Sequence, residues 1–263
     1  MIPCLVDAHV HLYDVFDPAR LADSAAANVA RLAASAGLPA ATPGILLLAQ
    51  TAAERPAAAV FDPAPKGWTA TRLDAGAVRL DAPGRPPLVL VPGCQTATSE
   101  GLEVLALGTG ARIADGMTAR ETILAAAAAG ALPVLPYGVG KWSGARGATV
   151  GRLAADAELS PLVLGDNAGR PARGGRPPQF AAAEAAGRIV LPGTDPLPFA
   201  GEAAKVARLV FAAEADPDDP WPGLKDWILR RTASPAPLGD HEGIGRFVAL
   251  QAAMQLRKRL RRR

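Results

Sequence analysis

The sequence predicts an α/β protein, a (β/α) TIM-like barrel open to distortion and carrying an antiparallel β-hairpin insertion, and three observations carry that prediction. The chain has 263 residues, and one barrel of about 250 residues fills that length, although two smaller domains also fit it. From residue 118 onward, short apolar runs recur roughly every 28 residues with helical stretches between them, the spacing of successive βα units. Each run ends in a polar, glycine-rich segment, the kind of loop that builds an active site at one mouth of a barrel. No sequence repeat accompanies this period.

Composition narrows the class. Hydrophobic residues make up 49% and charged residues 20%, which describes a globular chain and not a disordered one. Cys4 and Cys94 make no disulfide framework, and no Cys-x-x-Cys is present, so a structural zinc cluster is excluded. Reduced thiols in a cytoplasm are expected. No basic region followed by an apolar run opens the chain, so no signal peptide is expected. No apolar stretch approaches the roughly 18 residues of a membrane span.

The elements follow in order. In Leu5-Val6-Asp7-Ala8-His9-Val10-His11-Leu12 apolar and polar residues alternate as on a strand. Asp7, His9 and His11 are thus predicted on one face, with Val6, Ala8, Val10 and Leu12 on the other. Asp17-Pro18 starts a helix with Leu21, Ala25, Val29, Leu32 and Ala36 as its apolar stripe: Asp17 caps it and Gly37 ends it. Gly44 to Ala49 is a buried strand, and Thr51 to Glu54 matches a capping box cut short by Pro56.

Residues 60–108 differ in character. Thr69 to Leu73, Ala77 to Leu80 and Pro87 to Val91 are strand-like runs separated by Asp-Ala-Gly and Pro-Gly-Arg-Pro turns. They predict an antiparallel β-hairpin insertion. Leu102 to Leu107 adds a strand carrying Glu103. Thr118 to Glu121 is a capping box opening a helix that Gly130 ends. Strands at Leu132 to Tyr137, Leu162 to Leu164 and Arg188 to Leu191 alternate with helices near Thr149 to Ala157, Pro178 to Ala186 and Glu202 to Ala213. After an acidic loop at 216–222 come a helix from Leu224 to Arg231 and a last helix in 240–263.

The candidate site begins at the first strand. Two of the three histidines of the chain, His9 and His11, stand two residues apart, and neutral imidazoles so placed can converge on one cation. Ordinary half-buried strand histidines are the alternative. Ile189-Val190-Leu191-Pro192-Gly193-Thr194-Asp195-Pro196 is an apolar strand that delivers Asp195 at its end, either to a site or as a cap on the next turn. The loop Gly138-Val139-Gly140-Lys141-Trp142-Ser143 fails the spacing of a phosphate-binding P-loop.

Asp-x-His-x-His on an N-terminal strand and Gly-Thr-Asp-x-Pro after a late strand resemble the amidohydrolase-like metal-dependent hydrolases, and the first motif also resembles the polymerase-and-histidinol-phosphatase barrels. The resemblance covers the first strand and about 118–200. It implies a metal bound by His9, His11 and Asp195, with Asp195 also deprotonating the attacking water; in this sequence Glu103 or Asp166 is available to add a carboxylate ligand. The sequence departs from these families by having no histidines on its middle strands. Asp166-Asn167 stands where related barrels carry His-x-Gly-Gly, and His241 suits a helix cap. An oxygen-rich set of this kind favours Mn, Fe or Mg over Zn, as one or two ions or none. Lys141 and Asp166 join the catalytic candidates, and Lys141, Arg146, Asn167 and Arg170 those for an anionic substrate.

Three functions remain open on the sequence alone. The first is hydrolysis of an amide, ester or phosphoester in a small anionic substrate, the second an inactive barrel kept as a binding or scaffold protein, the third a metal-free lyase. The run Arg257-Lys258-Arg259-Leu260-Arg261-Arg262-Arg263 ends the last helix, where cations suit the helix dipole. It also permits weak contact with anionic lipid or nucleic acid.

Overall fold

The structure, a computed structural model, describes residues 1–172 and 175–260, the side chains of Lys258 and Leu260 excepted. Its strands are β1 (Ile2–Val10), β2 (Gly44–Leu48), β3 (Thr69–Arg72), β4 (Val78–Asp81), β5 (Leu88–Val91), β6 (Gly93–Ala97), β7 (Glu103–Leu107), β8 (Leu132–Pro136), β9 (Val163–Asn167), β10 (Val190–Gly193), β11 (Leu209–Ala215) and β12 (Leu238–Gly239). Its helices are α1 (Pro18–Ser35), α2 (Ala57–Val60), α3 (Ala119–Ala128), α4 (Gly144–Ala155), α5 (Pro178–Ala185), α6 (Pro220–Leu229) and α7 (Ile244–Leu260).

The strands form two mixed sheets, ordered β12-β11-β1-β2-β5-β4-β3 and β10-β9-β8-β7-β6. This corrects the expectation of a closed (β/α) barrel. Parallel pairing is confined to β1–β2–β5 and β8–β9–β10. The chain from 69 to 107 makes antiparallel pairs through short turns, and a parallel crossover needs a dozen or more residues. With too few crossover units, the ladder does not close. Hydrogen bonds between the two sheets include an isolated Gln50–Cys94 bridge, an Asp195 N–H donated to the His9 carbonyl at 2.7 Å and a Thr194 N–H donated to the Asp7 carboxylate at 2.7 Å.

The region expected as an insertion is largely integral. The hairpin β3–β4 does lie at a sheet edge, but β5 sits inside the first sheet between β2 and β4, and β6–β7 completes the second. The helix expected from Glu202 to Ala213 is also corrected. A 3-10 turn at Ala200–Lys205 gives way to strand β11, which pairs with β1 and β12. Leu209-Val210-Phe211 reads as well for a buried strand as for a helix, and pairing on both sides decides for the strand.

Where local signals are strong, the elements form as the residues dictate. Asp17 accepts the Arg20 N–H at 2.7 Å at the start of α1, and Thr118 with Glu121 closes a full capping box on α3. Helix α1 buries Leu21, Ala25, Val29 and Leu32 against Leu5, Val10 and Leu46. Helices α3, α4 and α5 cover the outer side of the second sheet through Ile123, Val150 and Phe180. Between the sheets lies a core of Val6, Ile45, Leu105, Val134, Leu191 and Phe211, closed at one end by Trp221 and Leu224 of α6. The opposite end, where β1, β9 and β10 finish, is polar.

Candidate metal centre

The alternation of β1 breaks where the site begins. Cys4, Val6 and Ala8 face the core between the sheets, whereas Val10 and Leu12 join the core under α1. The register against β2 shifts between Asp7 and Val10, so a bulge reverses the phase. Asp7 therefore does not share a face with His9 and His11, as the simple alternation had it. Its buried carboxylate accepts the N–H groups of His9 (3.2 Å), Thr194 (2.7 Å) and Ala207 (2.9 Å) and the Thr194 hydroxyl. Burial pushes this carboxyl up to about 6 although those donors favour the charged form. Asp7 is a structural clamp joining β1, β10 and the turn before β11.

Past the bulge, both imidazoles meet Asp195. His9 Nε2 and His11 Nε2 lie 3.2 Å apart, and Asp195 Oδ1 is 3.5 Å from the first and 3.7 Å from the second. Four donors around a cation at about 2.1 Å would be separated by roughly 3.4 Å, so these separations fit three ligands on one ion. His11 Nδ1 is 3.0 Å from Glu54 Oε1. A carboxylate only accepts, so Nδ1 carries the proton and Nε2 presents its lone pair. Burial lowers the proton affinity of both rings: for His9 it prevails, while for His11 the Glu54 hydrogen bond and charge outweigh it, leaving that ring raised. The donor set fits a divalent cation, with positions left open for water or substrate.

Backbone detail places Asp195. It has φ of 49°, a left-handed conformation that a non-glycine residue adopts at a cost, and its N–H is fixed to His9 O. Just before it, a Cβ added to Gly193 would stand 2.6 Å from His9 N, so only glycine lets β10 lie this close to β1. Asn167 at the end of β9 donates its Nδ2 to Asp195 Oδ2 (2.9 Å) and to the Tyr137 carbonyl (2.7 Å). Among the described residues its buried Oδ1 has no hydrogen-bond partner.

The other predicted residues divide into two groups. Glu103 and Lys141 form an ion pair on the wall of the same cleft. Neither supplies a donor to the three-residue cluster. Asp166 and Arg170 face away from it: Arg170 Nε and Nη2 each lie 2.8 Å from the Asp166 carboxylate, and His241 Nε2 closes the group at 3.0 Å from Asp166 Oδ2. His241 is thus an ion-cluster residue and not a helix cap. Burial opposes the Asp166 charge, but Arg170 and His241 hold its carboxyl below the usual range. Arg146 donates to the Gly140 carbonyl at 2.9 Å on the exposed start of α4.

Sequence reasoning missed Glu54, read only as a capping-box residue. Thr51 N–H and hydroxyl do donate to Glu54 Oε1 at 3.1 and 2.9 Å, but the carboxylate also takes Leu12 N–H at 2.8 Å and orients His11. Tyr13, stacked on His11 at 4.9 Å, was missed too. Helix α7 lies across the cleft, with Phe247, Leu250 and Met254 along its rim, and the cleft volume is about 280 Å³. Lys205 lies in the same cleft, paired with Glu202 at 3.0 Å and with Glu242.

Comparisons with known proteins bear on the fold alone. No family model matches the sequence, and no curated protein does. The solved structures that resemble this one include two of different source. PsfC from Pseudomonas syringae PB-5123 superposes with a TM-score of 0.55 at 18% identity, over 97% of this chain and 99% of that one. The lesion-specific endonuclease PfuEndoQ from Pyrococcus furiosus superposes with a TM-score of 0.51 at 11% identity, over 87% of this chain and 56% of that one. This α/β arrangement of two mixed sheets is therefore shared with an endonuclease that is much longer than this chain.

Proposed function

We propose that the protein is a metal-dependent hydrolase that cleaves an amide, ester or phosphoester bond in a small anionic substrate. The observation that carries the reading is the convergence of His9 Nε2, His11 Nε2 and Asp195 Oδ1 at separations of 3.2 to 3.7 Å. A divalent ion held there supplies the Lewis acidity that such bonds need to react with water at neutral pH.

The residues around it have distinct tasks. Glu54 keeps the His11 lone pair aimed inward. Asn167 holds Asp195 Oδ2, which fixes the carboxylate that takes the proton from the attacking water. Lys141 and Lys205 put two ammonium groups on the cleft walls, and an anionic group of the substrate binds by sharing them with Glu103 and with Glu202 and Glu242. Asp166 and Arg170, tied to each other, brace the end of β9.

A second reading, cleavage of a nucleic-acid strand, has the fold likeness to the endonuclease behind it. A cleft of about 280 Å³ roofed by α7 suits a small molecule better. Hydrolysis of a panel of phosphomonoesters, phosphodiesters, carboxylic esters and amides with added Mn, Fe, Zn or Mg tests both readings. Turnover of one class, abolished by chelator and by Asp195→Asn, is expected. A protein that binds metal but turns over nothing would leave the inactive binding fold standing.

A further inference from the structure

Helix α7 has an unusual surface for a helix packed on a protein. Among its described residues none is buried, including Phe247, Leu250 and Met254 on the cleft side. Its outward side carries Ile244, Val248, Ala252 and Leu256, spaced four residues apart and therefore aligned in one slowly drifting stripe about 18 Å long. Ile244, Val248 and Leu256 are 50%, 58% and 59% exposed, so this is an aliphatic stripe in water. Single exposed aliphatic residues are ordinary, but three aligned on one helix are not.

The stripe runs into a concentrated charge. Six of the seven residues at 257–263 are Lys or Arg, and removing those six from the 28 of the chain leaves 22 against 25 Asp and Glu, a net of −3 for the remainder. The protein is thus a mildly acidic body with one strongly basic end. Arg257 turns back to the Pro198 carbonyl, while Arg259 is exposed near the end of the stripe.

We infer that the outward face of α7 and the basic run after it dock on an anionic lipid surface. The aliphatic stripe enters the headgroup boundary, and the cations meet lipid phosphates, each worth about a fivefold gain in partitioning near a charged bilayer. Nucleic acid would use the cations but has nothing to offer a row of Ile, Val and Leu, and no aromatic side chain lies on that face to stack on a base. Crossing the bilayer is not implied: no helix among the described residues is long and apolar enough to do so. The inference is independent of the hydrolase reading, since Ile244, Val248, Ala252 and Leu256 are outside the cleft lining.

Sedimentation of the full chain with vesicles tests it. At physiological salt the protein pellets with vesicles containing a third phosphatidylglycerol and stays in solution with pure phosphatidylcholine. The double variant Val248→Glu/Leu256→Glu, changed only at exposed positions, loses binding by about tenfold or more and keeps the wild-type circular dichroism and metal content. Replacing Arg259, Arg261 and Arg262 by Gln weakens it by a similar factor. Equal pelleting with both vesicle types, undiminished binding in the stripe variant, full competition by duplex DNA in both, or a stable dimer that hides the stripe would each overturn the inference.

Discussion

Glu54 offers the sharpest perturbation of the candidate metal centre, because it lies outside the cleft lining and contributes no donor to the three-residue cluster. Its carboxylate accepts from His11 Nδ1, Leu12 N, Thr51 N and Thr51 Oγ1. Glu54→Ala removes all four acceptors. Water can serve Thr51, which is partly exposed, but the donors of His11 and Leu12 are buried. Two orphaned donors at about 1–3 kcal/mol each give a loss of about 2–6 kcal/mol, or roughly 4–24 °C in Tm for a chain of this size. Glu54→Gln keeps the shape and one acceptor, so its loss in stability is smaller. It still withdraws the charge that makes His11 a better ligand, and such partners are worth about 10- to 100-fold in metal affinity. Calorimetric titration with Zn or Mn gives the Kd, and thermal unfolding gives Tm. A Gln variant with the wild-type Kd, or an Ala variant with an unchanged Tm, would refute the assignment.

Three further outcomes follow from the packing. Gly193→Ala forces a methyl group to within 2.6 Å of His9 N; we expect a loss of about 1–3 kcal/mol in urea unfolding and weaker metal binding as well. Gly108→Ala combines φ of 79° with a Cβ 1.7 Å from the Trp221 ring, so it destabilises by more than about 3 kcal/mol yet leaves metal affinity in the surviving folded fraction intact. Asp166→Asn tests the Arg170–His241 cluster by pH. The folded carboxyl lies below its unfolded value near 3.9, so its contribution is complete above that value and disappears as pH falls through the lowered one. Wild type should exceed the variant in stability at pH 7, and the gap should narrow below about pH 4; a gap independent of pH would point to packing instead.

Much of the chemistry could be read from short strings. His9, His11 and Asp195 stand out because each ends an apolar strand, and strand ends are where a polar side chain escapes the core. Caps at Asp17 and Thr118 were legible for the same reason, being local hydrogen bonds between near neighbours. What was lost depends on long-range pairing. A bulge between Asp7 and Val10 has no sequence mark, yet it turns Asp7 away from the two imidazoles. Glu54 reaches His11 across 43 positions, a contact no local pattern encodes. Whether Leu209-Val210-Phe211 coils or extends is decided by the neighbouring strands β1 and β12, and the closed barrel failed because the strands between residues 69 and 107 pair through turns instead of helices.

The central claim is that one divalent ion sits between the ends of β1 and β10. Anomalous diffraction from crystals soaked in Mn or Zn measures this directly. The account predicts a peak about 2.1 Å from His9 Nε2, His11 Nε2 and Asp195 Oδ1 together, lost in His9→Ala. A map with no peak there, and the three side chains hydrogen-bonded to one another instead, would contradict it.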